Sequence, residues 1–501
     1  MGKIMRRVLI IVPAAALQVL WHLMLIKCLS PYAPLIESAL SVVAFFLVLY
    51  IIIKRDESTY KLLWLLVILT VPLVGTLLYL FFGNMRTAKP LKKRLESAQS
   101  SGDTQPLEIG KTPFDGDKRM EQTVRWLEGK TGYPLCRAEQ TRYYPLGDDM
   151  FPDMLADLKK AKNSIYIEYF IIEPGHMWDS IMSVLEEKLR QGVDVRVMYD
   201  DMGSISSFNF SNARELSQKG IPCAPFNPFL ALKGTVNYRD HRKMLIIDNE
   251  IAYSGGINLA DRYINLEKPY GHWKDTAFRL TGEAVHSFTH MFLTFWNAFA
   301  VKKGEDTLPM PEPSKAPRET DGYVLSYYDS PLNHEATSNR LFIDLLSQST
   351  DYAWFFTPYL MLGDDLMAAM ISAAQRGVDV RIIMPGVPDK KLIFRMSRSF
   401  YQVLLSGGVK IYEYTPGFVH AKSFVSDDRV ATIGTVNLDY RSLFLHFENN
   451  SLFYRAGIVS RIKRDFLETQ KKCSEIEPYD TKHYSRRWAI DGILRIFAPL
   501  C

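Results

Sequence analysis

Two short runs of this 501-residue chain hold the same set of reactive side chains. His241-Arg242-Lys243 is followed by Asp248, and His420-Ala421-Lys422 by Asp427. Fourteen residues after each histidine stands a glycine (Gly255, Gly434), and seventeen after it an asparagine (Asn258, Asn437). One His-x-Lys is ordinary on an exposed strand; two with the same downstream offsets are not. A neutral imidazole can attack an electrophile and split one displacement into two, and a protonated one can hand its proton to a departing alcohol. Ammonium groups neutralise anionic oxygens and the charge that builds on them. Two imidazoles and two ammonium groups facing one pocket therefore suit a phosphodiester. No cluster of carboxylates and histidines resembles a metal site, so no metal or other cofactor is expected.

The elements that must position these groups follow from the local pattern. Residues two apart in a strand share a face, which would project His241 with Lys243 and His420 with Lys422. The apolar runs after each motif continue the strand, and Asp248-Asn249 and Asp427-Asp428 suit tight turns. Small residues downstream would let the backbone approach a ligand. Asn258 and Asn437 stand where N-caps would open the next helices, within reach of a phosphate. Gly192-Val193-Asp194-Val195-Arg196 recurs as Gly377-Val378-Asp379-Val380-Arg381, each after a helical pattern and before a β-branched run. Strands alternating with helices imply a mixed sheet with helices packed on it.

The rest of the chain divides by composition. Val8 to Ile26, Ala33 to Ile53 and Leu62 to Phe82 are each near the roughly 20 apolar residues that span a bilayer. The first carries Gln18 and His22 and also reads as an uncleaved signal-like segment. Charged loops such as Lys54-Arg55-Asp56-Glu57 between the runs argue against buried core helices. The expected division is a membrane region at 1–83, a linker at 84–118, a first domain at 119–301, a Pro-rich linker at 302–321, a second domain at 322–480 and an amphipathic tail at 481–501. The net charge of +5 mildly favours an anionic partner, and with a membrane region it disfavours a nuclease. Five scattered cysteines predict reduced thiols rather than disulfides or zinc. His286-x-x-x-His290, among Phe288, Phe292 and Trp296, reads as an amphipathic helix.

The stretches from His241 to Tyr263, His272 to Thr276, Val419 to Ser442 and Phe447 to Asn450 resemble the phospholipase D superfamily, and within it the bacterial cardiolipin synthases. Leu62 to Gly83 and the closing Arg486 to Leu500 are similar to those synthases as well. The resemblance implies an α/β fold of two pseudo-twofold phospholipase D-like domains, with mixed β-sheets flanked by helices, preceded here by N-terminal transmembrane helices. It implies that two phosphatidylglycerol molecules become cardiolipin and glycerol at one site between the domains. Its catalytic triplets map onto His241, Lys243, Asp248 and His420, Lys422, Asp427, with Asp275 and Glu448 as the acids that support the histidines and His241 favoured as nucleophile. From the residues alone, Asp248 and Asp427 read as well as loop-orienting groups. The partners implied are phosphatidylglycerol, other anionic phospholipids and the lipid bilayer, without nucleic acid, and the location is the cell membrane as a multi-pass protein. Hydrolysis, or transfer to another alcohol, uses the same motif chemistry, and an oligomer is left open.

Overall fold

The computed structural model describes residues 20, 24, 32–54, 57–83, 88–100, 114–228, 237–301, 306–312, 320–333, 335–478 and 488–500. The chain forms two compact units, Met1–Lys89 and Pro90–Cys501.

In the first unit the helix Ala33–Ile53 opens on Pro34 and runs for 21 residues. The stretch expected as one span from Leu62 to Phe82 is broken instead. Pro72 removes an amide donor and disfavours the helical conformation in the residue before it, and Val71 adopts φ −136°, ψ 71°. The helix Ser58–Thr70 therefore stops there, and a second, Pro72–Leu78, starts and passes into one π-turn, Tyr79–Gly83. The two fold against each other: a Cβ on Gly75 would lie 2.5 Å from the Val67 carbonyl oxygen. Trp64 and Tyr79 stack edge to face at 5.3 Å. Among the described residues no helix is both long and apolar enough to cross a membrane. The run Val8 to Ile26 lies outside the described residues apart from Leu20 and Met24.

The second unit is built on two sheets. The seven-stranded sheet runs Thr141–Tyr144, Ala277–Thr281, Ile251–Gly255, Lys243–Ile247, Ser164–Tyr169, Asp194–Asp200, Cys223–Phe226. The nine-stranded sheet repeats that order as Tyr323–Asp329, Glu448–Tyr454, Val430–Gly434, Ser423–Ser426, Tyr352–Phe356, Asp379–Pro385, Lys410–Tyr414. It adds Cys136–Arg137 at one edge and Cys473–Glu475 at the other. Both are mixed, with parallel pairing confined to the strands that helices connect. The repeated Gly-Val-Asp-Val-Arg marks the helix-to-strand turn, where Gly192 (φ 85°) and Gly377 (φ 95°) take the left-handed conformation that only glycine adopts freely.

The halves are interleaved. The helix Lys118–Thr131 packs on Thr337–Gln348, and Thr123 Oγ1 bonds to Asp344 and accepts from Gln348 Nε2. The strand Cys136–Arg137 pairs with Tyr323–Val324. So the start of the stretch assigned to the first domain belongs to the second sheet. A helix, Ala88–Ser100, occupies part of the stretch read as a linker. In the tail, the helix Trp488–Phe497 docks on the catalytic unit, through Arg395 to Asp491 at 3.2 Å and Arg495 over the Phe400 ring at 4.5 Å.

Candidate active site

The motif residues lie where the two halves are stitched together. Asp240 pairs with Phe447 across the halves, and the short strand Gly417–Val419 pairs with His272–Lys274. The His241 amide donates to the Phe447 carbonyl at 2.9 Å, and the His420 amide to the Lys274 carbonyl at 2.7 Å. The two contacts match: each histidine amide meets the carbonyl just before the acid of the other half, Phe447 before Glu448 and Lys274 before Asp275. Because its backbone is tied to the opposite half, each histidine sits just ahead of its sheet strand, at Lys243–Ile247 or Ser423–Ser426.

The supporting acids are exchanged between halves. His241 Nδ1 lies 2.9 Å from both carboxylate oxygens of Glu448, and His420 Nδ1 lies 2.6 Å from Asp275 Oδ2. Each acid thus follows one motif in sequence and serves the histidine of the other. Lys243 Nζ bonds to the His241 carbonyl; Lys422 Nζ bonds to the His420 carbonyl and lies 2.8 Å from His420 Nδ1. Phe170 stands edge-on to His241 at 4.8 Å, while Tyr263 and Trp273 each flank His420 at 5.4 Å.

Burial drives this cluster toward neutrality. Desolvation, then the two lysine charges, holds both imidazoles well below their usual range. Burial also pushes Lys243 down to about 7 and Lys422 to about 8. The same cause pushes Asp275 up to about 7 and Glu448 to about 8, against the pull of the lysines. An anionic oxygen entering the pocket would return both lysines to the charged form.

The other expected site residues do different work. Asp248 accepts the backbone amides of Lys162, Asn163 and Ser164 at 2.6–2.8 Å, and Asp427 those of Thr350, Asp351 and Tyr352 at 2.9–3.0 Å. Both sit at the far end of their strands, seven residues and about 23 Å of extended chain from the histidine. In the structure they clamp the start of the neighbouring strand through these amide hydrogen bonds, in keeping with the loop-orienting reading. The αL turns after the strands (φ 56° and 54°; 51° and 53°) follow from the Asx pairs. Neither asparagine caps a helix: Ala260 and Tyr440 precede the next helical turns. Asn258 spends both ends within the protein, accepting from Ile171 N and donating to Tyr263 Oη. Asn437 donates to Asp439, and its Oδ1 is buried without a hydrogen-bond partner among the described residues. Gly255 and Gly434 admit a neighbouring strand rather than a ligand, since a Cβ would meet Thr276 O at 2.4 Å or Asn449 O at 2.3 Å. His290 bonds to Tyr133 Oη at 2.9 Å within the helix Val285–Phe299, as the amphipathic pattern requires.

The model for the cardiolipin synthase phospholipase D-like domain matches residues 154–296 and 342–469, and a phospholipase D-nuclease N-terminal model matches 39–84. A cardiolipin synthase of Geobacillus kaustophilus is 33% identical over 91% of this chain and 91% of its own. The chain belongs to the bacterial cardiolipin synthase family of the phospholipase D superfamily. Family membership makes it a phosphatidyltransferase. A second relative, an uncharacterized protein of Streptococcus mutans, is 42% identical over 90% of this chain and 99% of that one. Among solved structures, Haemophilus influenzae phosphatidylserine synthase shares the fold, with a TM-score of 0.58 at 15% identity over 77% of this chain and all of that one.

For this cardiolipin synthase family member, motif reading missed a shell of polar residues. Thr435 Oγ1 bonds to Glu448 Oε2 at 2.5 Å. Asn449 Nδ2 donates to Ser254 Oγ, which donates to the Lys243 carbonyl, so the second half braces the first-half lysine. Arg239, wholly buried, is held by Asp200 and two carbonyls. Thr435 occupies the matching place to Gly256, fifteen residues after its histidine, and that offset was the available signal.

Proposed function

We propose that the protein joins two phosphatidylglycerol molecules into cardiolipin and glycerol through a phosphatidyl group carried on His241. The observation that carries this reading is the crossed pair of acids, which fixes both imidazoles from behind and leaves their Nε2 atoms for the substrate.

His241 Nδ1 faces only Glu448, so its proton rests there and Nε2 keeps its lone pair. That nitrogen attacks phosphorus; the P–N bond forms as the P–O bond to glycerol breaks. His420 differs, because Lys422 Nζ also reaches its Nδ1. With Asp275 behind it, His420 takes up a second proton as the anionic substrate arrives, and the imidazolium passes that proton from Nε2 to the leaving glycerol oxygen and is left neutral. In the second step the acceptor hydroxyl gives its proton back to His420, its oxygen bonds phosphorus, and the P–N bond breaks. Lys243 and Lys422 neutralise the non-bridging oxygens throughout. Asn437 Oδ1 is placed to accept from a substrate hydroxyl.

We assign the N-terminal helices to the bilayer. Leu35, Phe46, Ile53 and Leu69 leave more than half of their surface exposed, as do their neighbours Val42, Val43, Phe45 and Leu62. An apolar surface that continuous marks a membrane or a partner.

Purified full-length protein given labelled phosphatidylglycerol in mixed micelles should release cardiolipin and glycerol. Phosphatidic acid as the sole product would replace this reading with hydrolysis. Quenching into alkaline detergent, where a P–N bond survives, should trap a labelled phosphatidyl-enzyme in His420→Ala and none in His241→Ala; the reverse would exchange the two roles.

A further inference from the structure

The acceptor in the reaction proposed above is itself a phosphodiester. As its terminal hydroxyl attacks, its own phosphate must wait one glycerol bridge away from the reacting phosphorus. Lys243 and Lys422 are engaged by the reacting phosphate, so a second countercharge is required. In-line displacement places His241 on one side of phosphorus and the alcohol, with His420, on the other. The cation must therefore stand on the His420 flank.

That flank carries one built from unusual parts. Phe418 lies 5.9 Å from the His420 ring, and Tyr359 lies 6.4 Å beyond Phe418. Lys390 Nζ sits 4.9 Å from the centroid of the Tyr359 ring and 3.1 Å from its hydroxyl. The hydroxyl donates to Asp389 Oδ2 at 2.7 Å, and that carboxylate is 3.4 Å from Lys390. The contact is longer than a direct charge-assisted hydrogen bond and is open to exchange with a lipid phosphate. Lys390 is 54% exposed and Asp389 16%, so the cation faces outward and the acid inward. Val387 N donates to the Gly417 carbonyl at 3.1 Å, fastening this loop to the strand that leads into His420. Val387 and Leu392 beside it expose apolar side chains suited to the acyl end of a lipid. The Lys390 charge acts on His241 and the Asp389 charge on His420, consistent with a short path to the reacting centre.

We propose that Lys390, steered by the ring and hydroxyl of Tyr359, binds the phosphate of the acceptor lipid and so selects a phospholipid over a neutral alcohol. This rests on the phosphatidyl-transfer reading above. The test offers the full-length protein phosphatidylglycerol in mixed micelles with ethanol as a competing neutral acceptor. Lys390→Gln should lower the ratio of cardiolipin to phosphatidylethanol about tenfold, the scale of one lost charge-assisted contact, through a higher KM for the acceptor. Lys390→Arg should restore most of the ratio, and Lys391→Gln, which removes the adjacent exposed charge, should keep it. An equal fall in both products overturns the subsite, as does the same change of ratio in Lys391→Gln. Absence of both cardiolipin and phosphatidylethanol that depend on His241 overturns the transfer reaction, and the subsite with it.

Discussion

Around His241 the supporting acid is a glutamate that bonds to the Thr435 hydroxyl; around His420 it is an aspartate that takes the Thr276 amide at 2.8 Å. The position matching Thr435 is Gly256, where a Cβ would lie 2.1 Å from Asp275 Oδ1. A longer acid with a hydroxyl partner in one half is thus exchanged for a shorter acid seated against bare backbone in the other. The duplicated frame conserves the imidazole geometry while its side chains trade length for space. Lys422 adds the second difference, reaching the imidazole nitrogen as well as the carbonyl. Near-symmetry of the backbone therefore coexists with distinct electronic roles for the two histidines.

The largest effect should come from separating those roles. Glu448→Gln and Asp275→Asn keep shape but lose the carboxylate charge behind each imidazole and offer an NH2 donor in its place, and each should lower kcat by about 10²–10⁴-fold. Under rapid quench, Glu448→Gln should act most on formation of the phosphatidyl-enzyme, whereas Asp275→Asn, working through the histidine that serves both steps, should slow formation and consumption alike. The same pattern from both variants would make the halves equivalent. Gly256→Ala should come next, costing kcat about tenfold or more by displacing Asp275, whereas Thr435→Ala removes one hydrogen bond and should cost less. Full activity in Gly256→Ala would remove the steric half of the comparison.

The lysines offer a pH test. Their folded values of about 7 and 8 lie below the ordinary 10.5, so each binds its proton less tightly in the free enzyme. An anionic substrate needs them charged, and KM for phosphatidylglycerol should therefore rise as pH climbs through 7–8. With arginine at 243 or 422, which stays protonated, the residual activity should lose that part of the rise. A KM flat from pH 6 to 9 in the unaltered enzyme would contradict it. Smallest for catalysis are Asp248→Asn and Asp427→Asn, which should destabilise folding by about 1–3 kcal/mol each while kcat of the folded fraction stays within twofold. Thermal unfolding and active-site titration would separate the two quantities.

Much of this site was legible because it is written twice. The duplicated His-x-Lys and the Gly-Val-Asp-Val-Arg turns survive as spacing, and spacing reports strand order; the acids at 275 and 448 stand at unequal offsets from their motifs and came only from the family resemblance. Which acid meets which histidine did not survive, because pairing across a twofold axis leaves no offset in the chain. Asp248 and Asp427 read two ways for a related reason: a repeated residue is needed equally by catalysis and by a repeated fold, and the backbone amides they bind are silent in sequence. In the membrane region, hydropathy alone gave Leu62 to Phe82 as one rod. The bend was readable at Pro72, where the preceding residue leaves the helical basin, and at Gly75, which admits the returning backbone.

The strand Cys136–Arg137, drawn from one half into the sheet of the other, bears on how the molecule can be dismantled. With the helix before it clasping the partner sheet, a cut anywhere in the Pro-rich stretch near residue 312 severs the chain without freeing either piece. A nicked enzyme should migrate as one species and keep its turnover, and halves expressed as separate polypeptides divided there should find each other in the cell.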